Sequence, residues 1–146
     1  MKRALAALTA AAAAGAAFAH SGATGVVKER MDGMKTMSDA TKALGAIKAG
    51  AIPFEPRTIR RAAGMLSAEG AAARDLFPEG SMAHPSEALP AIWTDRAGFD
   101  AILEDLVAAA AKMEAAADDE AAAMAAAEEV AATCKACHEK YREKKL

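Results

Sequence analysis

The sequence has 146 residues, of which 53% are hydrophobic and 26% charged, and its formal net charge at pH 7 is −2. This length and balance are typical of one packed globular domain and argue against a disordered chain. A weakly acidic chain also lacks the strong positive field that nucleic-acid binding requires, so we expect no nucleic-acid partner.

The first 19 residues have the pattern of a cleaved export signal. Lys2 and Arg3 precede an uncharged run of alanine and leucine that ends in the small-residue site AFA. A membrane anchor is the alternative, but a bilayer span requires about 20 strongly apolar residues and this run is short and dominated by alanine. The sequence therefore predicts a signal peptide over residues 1–19, a mature domain over residues 20–146, and a periplasmic location without a membrane span. Removing the segment leaves 16 basic against 20 acidic residues, a net charge of −4.

The mature sequence predicts the order helix, helix, loop, helix, helix, and it contains no strand pattern. The first helix is expected over about residues 24–49, because apolar residues recur at helical spacing and then stop before a glycine and a proline. The second is expected over about residues 55–75, with Pro56 in a first-turn position that helices tolerate.

The segment that follows changes in composition. Residues 76–93 contain three prolines and one glycine among large apolar residues, which predicts an ordered loop. Thr94 is predicted to cap the third helix, with Asp95 near the positive end of that helix. The fourth helix is predicted to begin around residues 118–120, where three acids favour a helix start, and to run to Tyr141.

Four amphipathic helices can bury their apolar faces by packing as an antiparallel four-helix bundle, and this all-α fold is the one we predict. The core is expected to be thin, because the last two helices are rich in alanine and each alanine buries little apolar area. Burial of apolar area stabilises a fold by about 25 cal/mol per Å², so each alanine contributes little. The aromatic residues of the mature chain are Phe54, Phe77, Trp93, Phe99 and Tyr141. Such a bundle would be stabilised by a large apolar guest.

The two cysteines stand three residues apart near the C-terminal end, and a histidine follows them. Cys134, Cys137 and His138 form the sequence C-x-x-C-H, which is the attachment signature of c-type haem. Side chains three residues apart project from one face of a helix, so both thiols can bond to the two vinyl groups along one side of a porphyrin. The adjacent histidine can place a ring nitrogen on the iron.

Three other uses of these side chains are weighed against haem attachment. Dithiol exchange of the thioredoxin type expects the C-x-x-C beside a βαβ pattern, which the sequence does not have. A zinc site would require two further ligands, and the other histidines are His20 and His84. A disulfide would close so small a loop that it would stabilise the fold little. The sequence therefore favours haem c, with its iron, as the cofactor.

Only eight residues follow His138, and none of them is methionine or histidine, so any sixth ligand of the iron must come from upstream. A four-helix chain whose last helix ends in CKACHEKYREKK resembles the class II c-type cytochromes, the cytochrome c-prime family. Four further stretches agree with that family: VVKERMDGMKTM, LGAIKAG, LFPEG and PAIWTDRAGFD. The resemblance implies an up-down-up-down bundle with covalently attached haem.

The resemblance also implies what faces the other side of the iron. Registration on LGAIKAG places Met34 where the low-spin members of the family carry a ligating methionine, which implies ligation by His138 and Met34. In the high-spin members a bulky side chain covers a five-coordinate iron instead. Without the resemblance, Met31, Met34 and Met37 form a stripe of the kind that core packing explains, and Met31 is the second candidate for ligation.

Two basic residues gain expected roles from the same resemblance. Arg30 shares a helix face with Met34, and the family pattern implies that its guanidinium meets a haem propionate. Taken by itself, Arg30 reads as an ordinary solvated arginine. Arg142 follows His138 by four residues and is expected near the proximal side of the iron, whereas Tyr141 is expected to serve packing.

These expectations predict a periplasmic single-electron carrier with histidine and methionine ligation. The alternative is a five-coordinate, high-spin protein that binds nitric oxide or carbon monoxide. A third reading is a haem-free bundle that binds partners or a metal. The sequence presents no set of acid, base or nucleophile residues, so we do not expect an enzyme. The partners that we expect are redox proteins and a second copy of the chain in a homodimer.

Overall fold

The computed structural model describes residues 22–144, and the predicted signal peptide over residues 1–19 and its cleavage point before His20 lie outside them. The helices are α1 (Gly25–Lys48), α2 (Pro56–Ala73), α3 (Ala91–Thr94), α4 (Arg96–Ala115) and α5 (Glu120–Tyr141), and a 3-10 turn, Arg74–Leu76, follows α2. Residues 22–144 form no strand, and a single bridge joins Ala88 to Arg142. The prediction of an all-α fold is confirmed.

Four of these helices are long, and they form a ring. α1 packs on α2, α2 on α4, and α4 on α5, while α5 closes the ring by a much lighter contact with α1. Exposed ion pairs mark the antiparallel order: Arg60 near the start of α2 pairs with Asp118 beyond the end of α4. Lys48 at the end of α1 pairs with Glu128 in the first half of α5. Within residues 22–144, no helix has both the length and the apolar character that a membrane crossing requires.

The predicted bounds of α1, α2 and α5 agree with the structure to within about two residues, but the start of α4 differs from its prediction. Thr94 ends the short helix α3 and does not cap α4. The cap is Asp95, whose Oδ1 accepts a hydrogen bond from the Gly98 amide at 3.3 Å. A carboxylate is a charged acceptor and suits the positive end of a helix better than a hydroxyl. The short helix α3 also contains Trp93, which was predicted to lie in the loop.

The core consists of two clusters. The alanine cluster comprises the buried residues Met37, Ala40, Leu44, Ile47, Ile59, Ala62, Ala63, Leu66, Leu106, Ala109, Ala110, Met113, Ala117, Ala123, Ala126, Ala127 and Val130. The aromatic cluster comprises Ala73, Phe77, Ile92, Phe99, Leu103 and Tyr141. In the latter, the Phe99 ring meets Phe77 edge-on at 5.0 Å and Tyr141 at 5.3 Å. Alanine dominates the larger cluster, as the alanine-rich sequences of the last two helices predict.

Candidate functional site

The last turns of α5 carry the predicted attachment residues. α5 begins with Asp119 as its cap, whose side chain accepts from the Ala122 amide at 3.0 Å, and its alanine-rich sequence favours an unbroken helix. Cys134 and Cys137 are both free thiols and both half-buried. Cys134 packs against the alanine cluster and Cys137 against the aromatic cluster. The two sulfur-bearing side chains therefore border the junction between the clusters.

Met34 reaches the same junction from α1. Its half-buried side chain packs against both clusters, and among the partly buried hydrophobic residues of the described chain it is the one that does so. Met37, one turn later, is buried inside the alanine cluster, and Met31, one turn earlier, is half-buried and packs against neither cluster. Met34 on α1 and the cysteine pair on α5 thus pack against the same two clusters, and the contact between α1 and α5 is the lightest in the ring.

The residues present fit a covalently held haem. Two thiols lie one turn apart on one helix face, an imidazole follows directly, and apolar side chains of both clusters border the thiols. An open hollow of about 480 Å³ also lies beside His138, but its lining is mostly charged. A porphyrin needs apolar faces, which the side chains of the two clusters beside the thiols offer.

Partial burial sets the proton affinities at the site. Burial raises the pKa of the Cys134 thiol, and burial together with the neighbouring Cys134 raises the pKa of Cys137 to about 11. His138 is exposed, but desolvation by its neighbours and the nearby Arg142 cation lower its pKa, so the imidazole is neutral at pH 7 and can donate a lone pair to a metal. Reactive dithiols have lowered thiol pKa values, so this environment does not suit dithiol exchange. No metal-binding group of three or more histidine, cysteine or acidic side chains occurs within the described part of the chain.

Arg142 and Glu87 form an ion pair beside His138. Arg142 donates from Nε to Glu87 Oε2 at 2.7 Å, and its Nη2 lies 2.6 Å from the same oxygen. The prediction that Arg142 lies near the histidine is consistent with its effect on the His138 pKa. Glu87 was not predicted, because it lies in the loop and no local pattern links it to a residue 55 positions away.

Arg30 is buried, with 4% of its surface exposed, and so it is not a solvated arginine. Its guanidinium donates to the Leu76 carbonyl at 3.4 Å, to Ser81 Oγ at 3.0 Å, to the Ser81 carbonyl and to Ser86 Oγ at 2.6 Å. It also lies over the Phe77 ring, 4.7 Å from the centroid. These contacts fasten the loop to α1, and the contact with a propionate stays a prediction.

Tyr141 is buried, as its expected packing role requires, but it also makes a polar contact that was not predicted. Its hydroxyl donates to Asp95 Oδ2 at 2.7 Å. The two residues are 46 positions apart, and only the antiparallel contact of α4 with α5 brings them together.

Comparison with known proteins gives a consistent result. The family model described as Cytochrome C' matches residues 25–142. Cytochrome c' of Rhodopseudomonas palustris is 32% identical over 123 residues, which cover 84% of each chain. A solved structure of that protein superimposes with a TM-score of 0.80, at 32% identity, and covers 85% of this chain and all of the other.

Two further proteins are similar to this chain. Cytochrome c-556 of Agrobacterium tumefaciens strain II Chrys is 35% identical over 122 residues, which cover 83% of this chain and 99% of the relative. A nitric oxide complex of a cytochrome c prime variant from Alcaligenes xylosoxidans superimposes with a TM-score of 0.74 at 30% identity. That superposition covers 82% of this chain and 94% of the other.

Proposed function

Because this chain belongs to the cytochrome c' family, we propose that its iron binds a diatomic gas, nitric oxide or carbon monoxide, on the face opposite His138. The family binds haem c covalently, and haem c is the cofactor of this chain. In the proposed site, Cys134 and Cys137 would hold the haem through two thioether bonds and His138 would bind the iron. The bound haem supplies an iron that takes up or gives up single electrons and has a face free to bind a ligand.

The position of Met34 carries this proposal. Its side chain packs against both clusters, each of which also contacts one of the two cysteines, and it lies on α1, whose contact with α5 is the lightest in the ring. A methionine side chain has three rotatable bonds and is only half-buried here, so it can cover the iron and turn aside for a diatomic molecule. The nitric oxide complexes of a similar cytochrome c prime support the same function.

The second candidate is an electron carrier in which Met34 is itself the sixth ligand. One observation favours it: Met34 packs against both clusters from α1, and its side chain carries a thioether sulfur that can bind iron. The similar proteins do not support the narrower prediction of a methionine-ligated subgroup, since they are cytochromes c' and c-556. Both candidates carry single electrons through haem c, and they differ in whether the Met34 sulfur binds the iron.

Replacing Met34 separates the two candidates. We expect the wild-type ferrous protein to bind carbon monoxide, and the ferric spectrum of Met34→Leu to match that of the wild type, because leucine covers a similar volume. In Met34→Ala, the smaller side chain should tighten carbon monoxide binding about tenfold, which corresponds to about 1.4 kcal/mol of relieved crowding. Absorption spectroscopy and a carbon monoxide titration measure both effects.

The matched control is Met37→Leu, which makes the same chemical change one turn away, inside the alanine cluster. It should leave spectrum and affinity unchanged. A weak red band of the wild-type ferric protein that disappears in Met34→Leu and persists in Met37→Leu would contradict gas binding on an open face and establish the electron carrier.

The predictions about the cell are part of the same proposal. A periplasmic location rests on the export pattern of residues 1–19. Redox proteins and a second copy of the chain remain the proposed partners, and the absence of an enzymatic activity remains a prediction.

A further inference from the structure

One carboxylate joins the start of α4 to the end of α5. Asp95 Oδ1 accepts from the Gly98 amide at 3.3 Å, which caps α4. Asp95 Oδ2 accepts from the Tyr141 hydroxyl at 2.7 Å and also pairs with the Lys140 ammonium. Hydrogen bonds from Lys140 and Tyr141 hold the pKa of this carboxyl below its ordinary value, so Asp95 is charged at neutral pH.

The contact is tightly fitted. A Cβ atom on Gly98 would lie 2.8 Å from the Tyr141 hydroxyl and 2.5 Å from Asp95 Oδ2, so a larger residue at position 98 would displace one or both of these groups. The Tyr141 ring meets Phe99 edge-on, and its carbonyl accepts from the Leu89 amide at 3.0 Å. The hydroxyl and the ring of Tyr141 are therefore held by the start of α4, and its carbonyl is held by the loop before α3.

The held residue belongs to the turn that carries His138. Tyr141 follows His138 by three residues. The His138 carbonyl accepts a hydrogen bond from the Arg142 amide at 3.3 Å, so the helical hydrogen bonds of α5 continue to its last residue. α1 contacts α5 only lightly, so the end of α5 is fixed mainly from the side of α4 and the loop. Fixing Tyr141 fixes the backbone from which the imidazole projects.

We propose that Asp95 is a positioning residue for the iron-binding histidine, acting through Tyr141 and Lys140 on the last turn of α5. This inference rests on the proposed function, in which His138 binds the iron. Outer partners of metal-binding histidines tune the metal by fixing ring orientation. Asp95 would do so through the helix and not through a bond to the imidazole.

A purely structural role of Asp95 as a helix cap is the competing explanation, and the chain offers a matched control. Asp119 caps α5 at its other end by accepting from the Ala122 amide at 3.0 Å. Asp95→Ala and Asp119→Ala therefore remove the same kind of cap. Tyr141→Phe keeps the buried ring and removes only the hydroxyl that Asp95 holds.

The test uses the haem-loaded protein and two measurements: the iron–histidine stretching band of the ferrous state by resonance Raman spectroscopy, and the reduction potential. We expect Asp95→Ala and Tyr141→Phe to shift both and to broaden the band. Asp119→Ala should lower the denaturation midpoint through the loss of its cap, by less than Asp95→Ala, and leave the band and the potential at wild-type values.

Unchanged values in both Asp95→Ala and Tyr141→Phe would overturn the inference, as would equal shifts in Asp119→Ala. Tyr141→Phe keeps the test decisive if Asp95→Ala does not fold. The proposed function fails in a different way. If the wild-type haem signals persist unaltered in His138→Ala, then His138 does not bind the iron, whatever Asp95 does.

Discussion

Replacing both cysteines, Cys134→Ala together with Cys137→Ala, should abolish covalently held haem in the exported protein. The two thiols border the cluster junction and are the only cysteines in the sequence, so no other side chain can form a thioether. Each single replacement should leave one thioether and retain haem less completely. Acidic acetone extraction followed by the pyridine haem spectrum of the protein fraction measures the retained haem.

Lys135→Ala is the matched control for these variants, because it changes an exposed residue inside the same pentapeptide. It should retain haem at the wild-type level. Full haem retention in the double cysteine variant would refute the proposed attachment, and loss in Lys135→Ala would show that the assay reports damage to the helix.

Replacing Arg30 with leucine should cause the largest loss of stability among single substitutions in α1. The guanidinium is buried and serves two carbonyls and the hydroxyls of Ser81 and Ser86, and it lies over the Phe77 ring. Its removal leaves these acceptors without their charged donor and releases the loop from α1. We expect the free energy of unfolding to fall by about 3 kcal/mol, as measured by urea denaturation of the holoprotein.

Arg61→Leu is the control for Arg30→Leu, because Arg61 is exposed on α2, and it should change the free energy of unfolding by less than about 0.5 kcal/mol. Equal losses in the two variants would refute the role of Arg30 as a loop anchor. The same pair tests the contact with a haem propionate that the resemblance implies. A shift of the reduction potential in Arg30→Leu that is absent in Arg61→Leu would support that contact.

The parts of the fold that local chemistry decides could be predicted from the sequence. α1 stops before a glycine and a proline, α2 begins at Pro56, and α5 begins at an acidic cap, so their bounds follow from a few neighbouring residues. The C-x-x-C-H sequence is equally local. The predicted start of α4 was wrong by one residue. Thr94 and Asp95 are both good caps, and the short helix that ends at Thr94 leaves Asp95 as the cap of α4.

What could not be predicted depends on contacts between distant residues. Arg30 meets Ser81 and Ser86 across 51 and 56 positions, and Tyr141 meets Asp95 across 46. Periodicity assigns these side chains to helix faces but does not pair them across the bundle. The division of the core into two clusters has the same origin, since it depends on how four helices meet and not on any one of them.

The intact mass of the protein after export and denaturation tests the central claim most directly. The chain should be produced at full length in a bacterium that attaches haem c, so that export and attachment both occur. We predict one species with the mass of residues 20–146 plus one haem that denaturation does not remove. A species with the mass of the polypeptide alone would contradict the claim that Cys134 and Cys137 hold the cofactor covalently.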